Sequence, residues 1–390
     1  MLENKIGLEF EGVVLGENDR LIKNVDSLNI FDSNNVGKET TKDRLELRTD
    51  PHNSVSDAFK EFLQLMDSYD LIKTKTFLPF NHDGNKKKVV FRDDSLAVVK
   101  KLFLGEDYSF EGLTRGFHIH FSLPDDEEKI IKNYNTAIAL DPFGLAVMNS
   151  FSDNESYAWR ANGYRKDVYS KEPFFGDIPN YMYSFAEHLG NLEEQFNNIC
   201  EKYWDEGGEE YSKRSNPLSA INGPVRVRFA SESEKKIGYD DTIEIRTPDS
   251  NPLLTLGFSY TEILHWLISK SSDYGMRFSN KPKISFDGSD IVLPNNWLLK
   301  YLSNKTLKNG LDDDVITDYC LSILNSADKL GYTNSEVFNK LTDNIFDKKG
   351  FNYSLKDYKN SGWFFNENEK ICCFVRDTVR QEYDDLQKML

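Results

Sequence analysis

Three short segments place charged or imidazole side chains on alternate residues: Glu9 and Glu11 in IGLEFEG, His118 and His120 in GFHIHFSL, and Glu244 and Arg246 in TIEIRTPDSNP. In an extended chain, residues two apart share a face. The interleaved positions are Leu8, Phe10, Ile119, Ile243 and Ile245, so each segment would bury an apolar face and turn its charge the other way. Three such faces brought together would make a pocket for hard cations, which prefer carboxylate oxygens with an occasional imidazole. Each pattern also has an ordinary explanation. Alternating Glu suits the wet face of an antiparallel sheet, His-x-His can be two satisfied polar side chains, and Glu-x-Arg can be an ion pair on a sheet.

The elements that must position these segments can be read from hydrophobic periodicity. Ser56 is the expected cap of a helix in which Ala58, Phe59, Phe62, Leu63, Met66 and Tyr69 recur at three- and four-residue spacing, followed by extended segments near 73–78 and 88–91. Further helices are expected within 126–150, over about 182–204, and after Pro252, where an apolar run follows the turn at 249–252. Strand-like and helical stretches alternate without an internal repeat, which is an α+β pattern. The Lys, Pro and Gly content of 279–290 marks a boundary or surface crossing. The expectation is a catalytic domain over residues 1–280 and a mostly helical C-terminal part over 281–390, packed on the same domain or beside it.

Composition narrows the function classes. With 390 residues the chain can bury a sizeable core. Its 64 acidic against 48 basic residues give a net charge of -16, which repels nucleic-acid phosphates and anionic membranes. The run Lys86 to Lys88 reads as a solvated hairpin tip. No apolar stretch approaches the ~20 residues of a membrane-spanning helix, and MLENKIGLEF has no secretory pattern, so a cytoplasmic protein is expected. Cys200, Cys320, Cys372 and Cys373 fit neither a disulfide framework nor a CxxC metal pair and read as reduced thiols.

The stretch TIEIRTPDSNPLL at 242–254 resembles the glutamine synthetase signature, a Glu-x-Arg strand running into Pro-Asp and Asn-Pro, and GFHIHFS at 116–122 resembles that family's Gly-x-His-x-His-x-Ser strand. GLEFEG and DRLELRTDP at 43–51 look closer to the glutamate-cysteine ligase branch of the same superfamily, whose chains begin at the catalytic sheet. NESYAWR at 154–160 is similar to the synthetases' Asn-Ser-Tyr-x-Arg segment. The resemblance implies a curved, mainly antiparallel catalytic sheet of glutamine synthetase type flanked by helices. It implies a carboxylate-amine ligase using ATP and two or more magnesium or manganese ions. By analogy, Glu9, His118 and Glu244 hold one ion and Glu11 and Glu46 the second, with Asp43 a further contributor. Arg246 and Arg228 contact the nucleotide and its phosphates, and His120 lines the nucleotide pocket. Arg160 and Arg165 face the substrate, and Arg246, Arg160 and Glu244 are the expected catalytic groups. Arg226 reads as a solvated surface charge, and Asp153, Glu155 and Tyr157 as loop contacts near Arg160.

The residue types suit that reaction on their own terms, because a triphosphate needs cations to neutralise and orient it and arginines to grip it. The substrates are expected to be a small-molecule or peptide carboxylate and an amine, with neither nucleic acid nor membrane as partner, and the protein a monomer or small homo-oligomer. Rival readings are a guanidino-type phosphotransferase, a metal hydrolase built on the His-x-His strand, and an inactive nucleotide-binding module of the same fold.

Overall fold

The alternating segments form strands. The computed structural model describes residues 4–17, 20–31, 33–79, 89–150, 157–169, 171–172, 176–220, 223–236, 238–347 and 368–390. One sheet contains β1 (Ile6–Leu15), β2 (Val36–Lys38), β3 (Arg44–Arg48), β4 (Thr76–Leu78), β5 (Phe117–Ser122), β6 (Val225–Arg228) and β7 (Thr242–Ile245). Its order is β2-β3-β1-β5-β7-β6 with β4 beside β1, and each of these pairs is antiparallel.

Register turns this topology into a site. Glu9 stands between Arg48 and His118, Glu11 opposite Glu46, and Glu244 between His120 and Arg226. Side chains two apart project together, so one face of the sheet becomes a field of acids, imidazoles and arginines. The other face carries Leu45, Leu47, Leu8, Phe10, Phe117, Ile119, Val227, Ile243 and Ile245, none more than 1 % exposed. A slip of one residue would exchange the two faces. Burial of the apolar row therefore fixes where every charged group points.

Helices cover the apolar face. α1 (Val55–Ser68) presents Phe59 and Phe62 to it, and Phe10 stacks between Phe62 and Phe117 at centroid distances of 4.1 and 4.2 Å. Its cap is Ser54, two residues before the expected Ser56, because Ser54 keeps an extended backbone from which its hydroxyl accepts the Asp57 N–H. The chain continues through α2 (Leu96–Leu104), α3 (Glu127–Ala139), α4 (Asp141–Val147), α5 (Trp159–Gly163), α6 (Phe185–Lys202), α7 (Gly208–Arg214), α8 (Pro217–Ala220), α9 (Glu232–Lys236) and α10 (Leu254–Ser271). The single helical region expected over 126–150 is split at Leu140, where Pro142 opens a new first turn. The extended segment near 73–78 shortens to β4. Lys86 to Lys88 lie outside the described residues, and of the strand expected at 88–91 only an isolated bridge from Phe91 to Thr41 forms.

The segment 279–290, expected as a boundary or surface crossing, has exposed turns at 280–283 and 287–289 and also contributes to a second sheet. β8 (Gly275–Ser279) and β9 (Ser285–Phe286) flank β10 (Asp290–Pro294), parallel and antiparallel to it respectively. Ile284, Ile291 and Leu293 are buried in the same apolar cluster as the main sheet. α11 (Asn296–Asn309), α12 (Asp314–Lys329), α13 (Ser335–Asp347) and α14 (Asn368–Met389) follow, and Val375, Val379 and Leu386 of α14 join that cluster. A smaller cluster holds Phe103, Tyr108, Phe110, Phe196, Tyr203 and Tyr211, tying α2, α6 and α7 together beside the polar face. Cys200 and Cys320 are buried free thiols, and those of Cys372 and Cys373 are outside the described side chains. Among the described residues no helix is long and apolar enough to cross a membrane.

Candidate active site

β1, β3, β5 and β7 deliver the acids and imidazoles to one spot. Three groups each bring ligand atoms within 4.8 Å of one another: Glu9, Glu46 and His118; Glu9, His120 and Glu244; and Glu11, Glu39 and Glu46. His118 Nδ1 lies 3.2 Å from Glu9 and 3.8 Å from Glu244, while its Nε2 is 3.7 Å from Glu11. That buried Nε2 has no hydrogen-bond partner among the described residues. His120 Nδ1 is 3.1 Å from the Thr242 hydroxyl, and its Nε2 lies 3.3 Å from Glu9. Glu11 accepts hydrogen bonds from the Gly116 N–H at 2.9 Å and from Arg44 at 3.1 Å. Only glycine fits at 116: a Cβ there would come within 2.5 Å of His118 Nε2 and 2.7 Å of Arg160 Nη2.

The electrostatics divide the acids. Burial and the carboxylates of Glu9, Glu39 and Glu11 push Glu46 well above the ordinary range despite Arg48, which bonds it. Burial and Glu11 likewise raise Glu39. Burial also works against Glu244, yet Arg226 and Arg246 outweigh it and hold that carboxyl well below its ordinary value. Arg226 Nε donates to it at 2.6 Å and Arg246 Nη1 at 2.5 Å. Burial and the Arg246 charge lower His118, leaving a neutral imidazole at neutral pH, which is the form that ligates metals. A site with surplus buried carboxylate, an unpartnered imidazole nitrogen and hard oxygen donors fits a divalent cation.

Three cavities run along this polar face and share walls. The first, about 300 Å³, is lined by Gly7, Asn34, Thr49, Ser122 and Tyr239 together with Glu9, Arg48, His120 and Arg228. The second, about 400 Å³, holds Glu9, Glu11, Glu39, Glu46, His118 and Glu244 with Arg48, Arg226, Arg228 and Arg246. The third, about 70 Å³, is enclosed by Arg160, Arg165, Arg246, Tyr164 and Glu111. Lys100 of α2 enters the middle cavity, where burial and the charges of Arg246 and Arg226 lower it to about 8 despite Glu111.

Glu9, Glu11, Glu46, His118, His120, Glu244, Arg246 and Arg228 all reach this trough. Arg160 and Arg165 line its narrow end, and both also serve the scaffold. Arg160 Nη1 donates to the carbonyls of Arg246 and Thr247 at 3.0 and 3.3 Å, and Arg165 Nε donates to Gly176 at 3.0 Å. Three expectations need correction. Asp43 is not part of the cluster: it sits in the turn before β3, outside the strand's alternation, and pairs with Arg115 at 3.7 Å. Arg226, expected in solvent, is instead bound to Glu244, because β6 is hydrogen-bonded to β7 in register. The Tyr157 hydroxyl donates inward to the Ala146 carbonyl at 2.8 Å, and its ring packs with Leu145 and Leu307. Asp153 and Glu155 lie outside the described residues.

Sequence reasoning missed Glu39, Arg48, Arg44, Glu111 and Lys100. Arg48 had a signal, since RLELR repeats the Glu-x-Arg spacing of TIEIR. Arg44 continues that alternation, is 1 % exposed, and meets Glu11, Glu39 and Glu111 at 3.1, 3.3 and 3.8 Å. Glu39, Glu111 and Lys100 come from the residue after β2, a 3₁₀ helix over Glu106–Leu113 and α2, and no spacing links them.

No family model and no curated protein matches the chain. Among solved structures, it aligns with the glutamate–cysteine ligase of Francisella tularensis in complex with AMP at a TM-score of 0.62 and 13 % identity, covering 99 % of this chain and 89 % of that one. It aligns with the bifunctional glutathione synthetase of Pasteurella multocida at a TM-score of 0.58 and 13 % identity, covering 97 % of this chain and 52 % of that one. The chain thus spans about half the length of the latter enzyme. On architecture, therefore, this is an α+β protein sharing its fold with glutamate–cysteine ligase and with bifunctional glutathione synthetase.

Proposed function

We propose that the protein is an ATP-dependent carboxylate–amine ligase that forms an amide through an acyl-phosphate intermediate. The observation that carries this is the convergence of Glu9, Glu46, Glu11, His118, His120 and Glu244 beside Arg48, Arg226, Arg228 and Arg246 in one trough with a small arginine-lined end. A fold neighbour solved in complex with AMP supports an adenine nucleotide as a ligand. In this reading the 300 Å³ cavity takes the nucleoside, with His120 and Arg228 on its wall, and the middle cavity takes the triphosphate.

Glu9, His118 and Glu244 would hold one divalent ion, and Glu11 and Glu46, joined by Glu39, a second. Bound magnesium or manganese supplies the positive charge that neutralises and orients a triphosphate. Arg246, Arg226 and Arg228 grip phosphate oxygens and stabilise charge as the phosphoryl group moves. Arg160 pins the backbone of 246–247 and, with Arg165, offers the carboxylate substrate its cationic wall. A carboxylate oxygen then bonds the γ-phosphorus as ADP departs. The amine next bonds the acyl carbon as phosphate departs, and a proton leaves the nitrogen. Residues 1–280 form the catalytic part in this reading and 281–390 its support. The protein works in the cytoplasm as a monomer or small homo-oligomer, without nucleic acid or membrane as partner.

The test is incubation with ATP, magnesium and pooled amino acids, polyamines and peptides, following nucleotide and phosphate and seeking a condensed product by mass spectrometry. ADP, phosphate and an amide are expected. AMP with pyrophosphate would overturn the acyl-phosphate mechanism, and a stable phosphorylated guanidine would replace the ligase with a phosphotransferase.

A further inference from the structure

The ligase reading uses three cavities, and a fourth adjoins them. At about 500 Å³ it is larger than any of those three. It lies between residues 177–184, the first turns of α6, Tyr134 of α3, the start of α11 and the beginning of β6. It shares Gly223 with the arginine-lined cavity and Arg226 with the metal cavity. It thus borders the place where a phosphorylated carboxylate would sit.

Its chemistry differs from that of its neighbours. Asn180, Asn191 and Gln195 line the wall with amide groups that both donate and accept. Tyr134 and Tyr183 add aromatic surface, the first buried and the second 68 % exposed near the rim. Asp177 and Glu187 add carboxylates, and the cations on the wall are Arg226, engaged with Glu244 at 2.6 Å, and Lys300. Where the 70 Å³ cavity offers three arginines to a carboxylate, this one offers acids to an ammonium and amides to peptide groups. A space of this size belongs to a ligand of several residues, not to ammonia or one small amine.

We propose that this fourth cavity receives the amine substrate, and that the substrate is a peptide carrying a free amino group. The proposal rests on the ligase reading and adds the acceptor class to it. The peptide's ammonium sheds one proton to solvent and its nitrogen bonds the acyl carbon. The carbon–oxygen bond to phosphate breaks with its electrons on phosphate, and a second proton leaves the nitrogen.

The experiment compares three acceptors with ATP, magnesium and pooled free amino acids as carboxylate donors. They are C-terminally amidated tripeptides, single amino-acid amides, and hydroxylamine, which needs no pocket and reports activated acyl groups as hydroxamate. Tripeptides should give amide product with a KM at least about tenfold below that of single amides, roughly one stacking contact and a few hydrogen bonds. Gln195→Trp, which fills the cavity from a half-exposed helix position, and Tyr183→Ala should each raise the tripeptide KM while leaving hydroxamate formation unchanged. Equal use of single amides, or a tripeptide KM indifferent to both substitutions while hydroxamate forms, overturns the acceptor assignment and spares the ligase. Absence of hydroxamate with every donor sinks the ligase reading instead. Anisotropy of a fluorescein-labelled amidated tripeptide then decides the cavity: saturable binding weakened by Gln195→Trp supports it, and no binding overturns it.

Discussion

Glu244 is gripped by two arginines at once, which separates its structural from its chemical role. Removing the side chain in Glu244→Ala leaves two guanidinium groups facing each other without an anion, at a cost of about 3–5 kcal/mol, visible as a lowered Tm. Glu244→Gln keeps the shape and one acceptor, so the expectation is a folded protein whose ATP turnover falls by on the order of a hundredfold or more, read by phosphate release. Glu46 makes the opposite case. Its carboxyl is raised, so it binds its proton more tightly folded than unfolded. That contribution is complete below the ordinary carboxylate range and is lost as pH rises through the raised value. Glu46→Gln should therefore melt higher than wild type without metal at pH 8, by on the order of 1 kcal/mol, with the advantage shrinking toward pH 4. The same variant should lose the magnesium-dependent rise in Tm. The paired residues of β1, β5 and β7 were legible because alternation is a property of the local chain. Glu39 and Lys100 were not, because tertiary packing alone brings the residue after β2 and a helix to the same cavity.

At the scale of elements, α14 reaches back into the core it follows. Glu382 accepts the Thr255 N–H at 2.9 Å and its hydroxyl at 2.5 Å, serving the first turn of α10, and also meets Lys340 at 3.5 Å. Arg380 donates to the carbonyls of Ile72 and Lys73 at 2.9 and 2.6 Å. α10 leaves directly from the Pro-Asp-Ser-Asn-Pro turn after Arg246, so α14 braces the turn that follows β7. Glu382→Ala should lower stability by about 1–2 kcal/mol in urea unfolding, with the unfolding slope unchanged. Helices with a clean apolar stripe, such as α1 and α6, could be read from sequence to within a few residues. β9 could not, because two residues amid Lys, Pro and Gly carry no alternation, and pairing with β10 alone makes them a strand.

At the scale of the molecule, acid sensitivity has an identifiable contributor. His188 is pushed down to about 4 by burial, with the Tyr134 ring 5.0 Å away. A neutral imidazole favoured by the fold adds stability above the ordinary histidine value, and that contribution is lost as pH falls from there through about 4. His188→Gln should flatten the difference in unfolding free energy between pH 7 and pH 5, measured in urea at both. The class of fold was readable from composition and alternation together. Strand order was not, since nothing local says which distant segment a strand will pair with.

That remoteness has a kinetic corollary. Glu9 finds His118 across 109 intervening steps of chain, and His120 finds Thr242 across 122. Loop closure over such spans precedes the energy it releases, so topologies of this kind fold slowly. During refolding, helical signal should recover well before the proposed magnesium-dependent rise in Tm can be read, and neither half of the polypeptide expressed alone should show that rise.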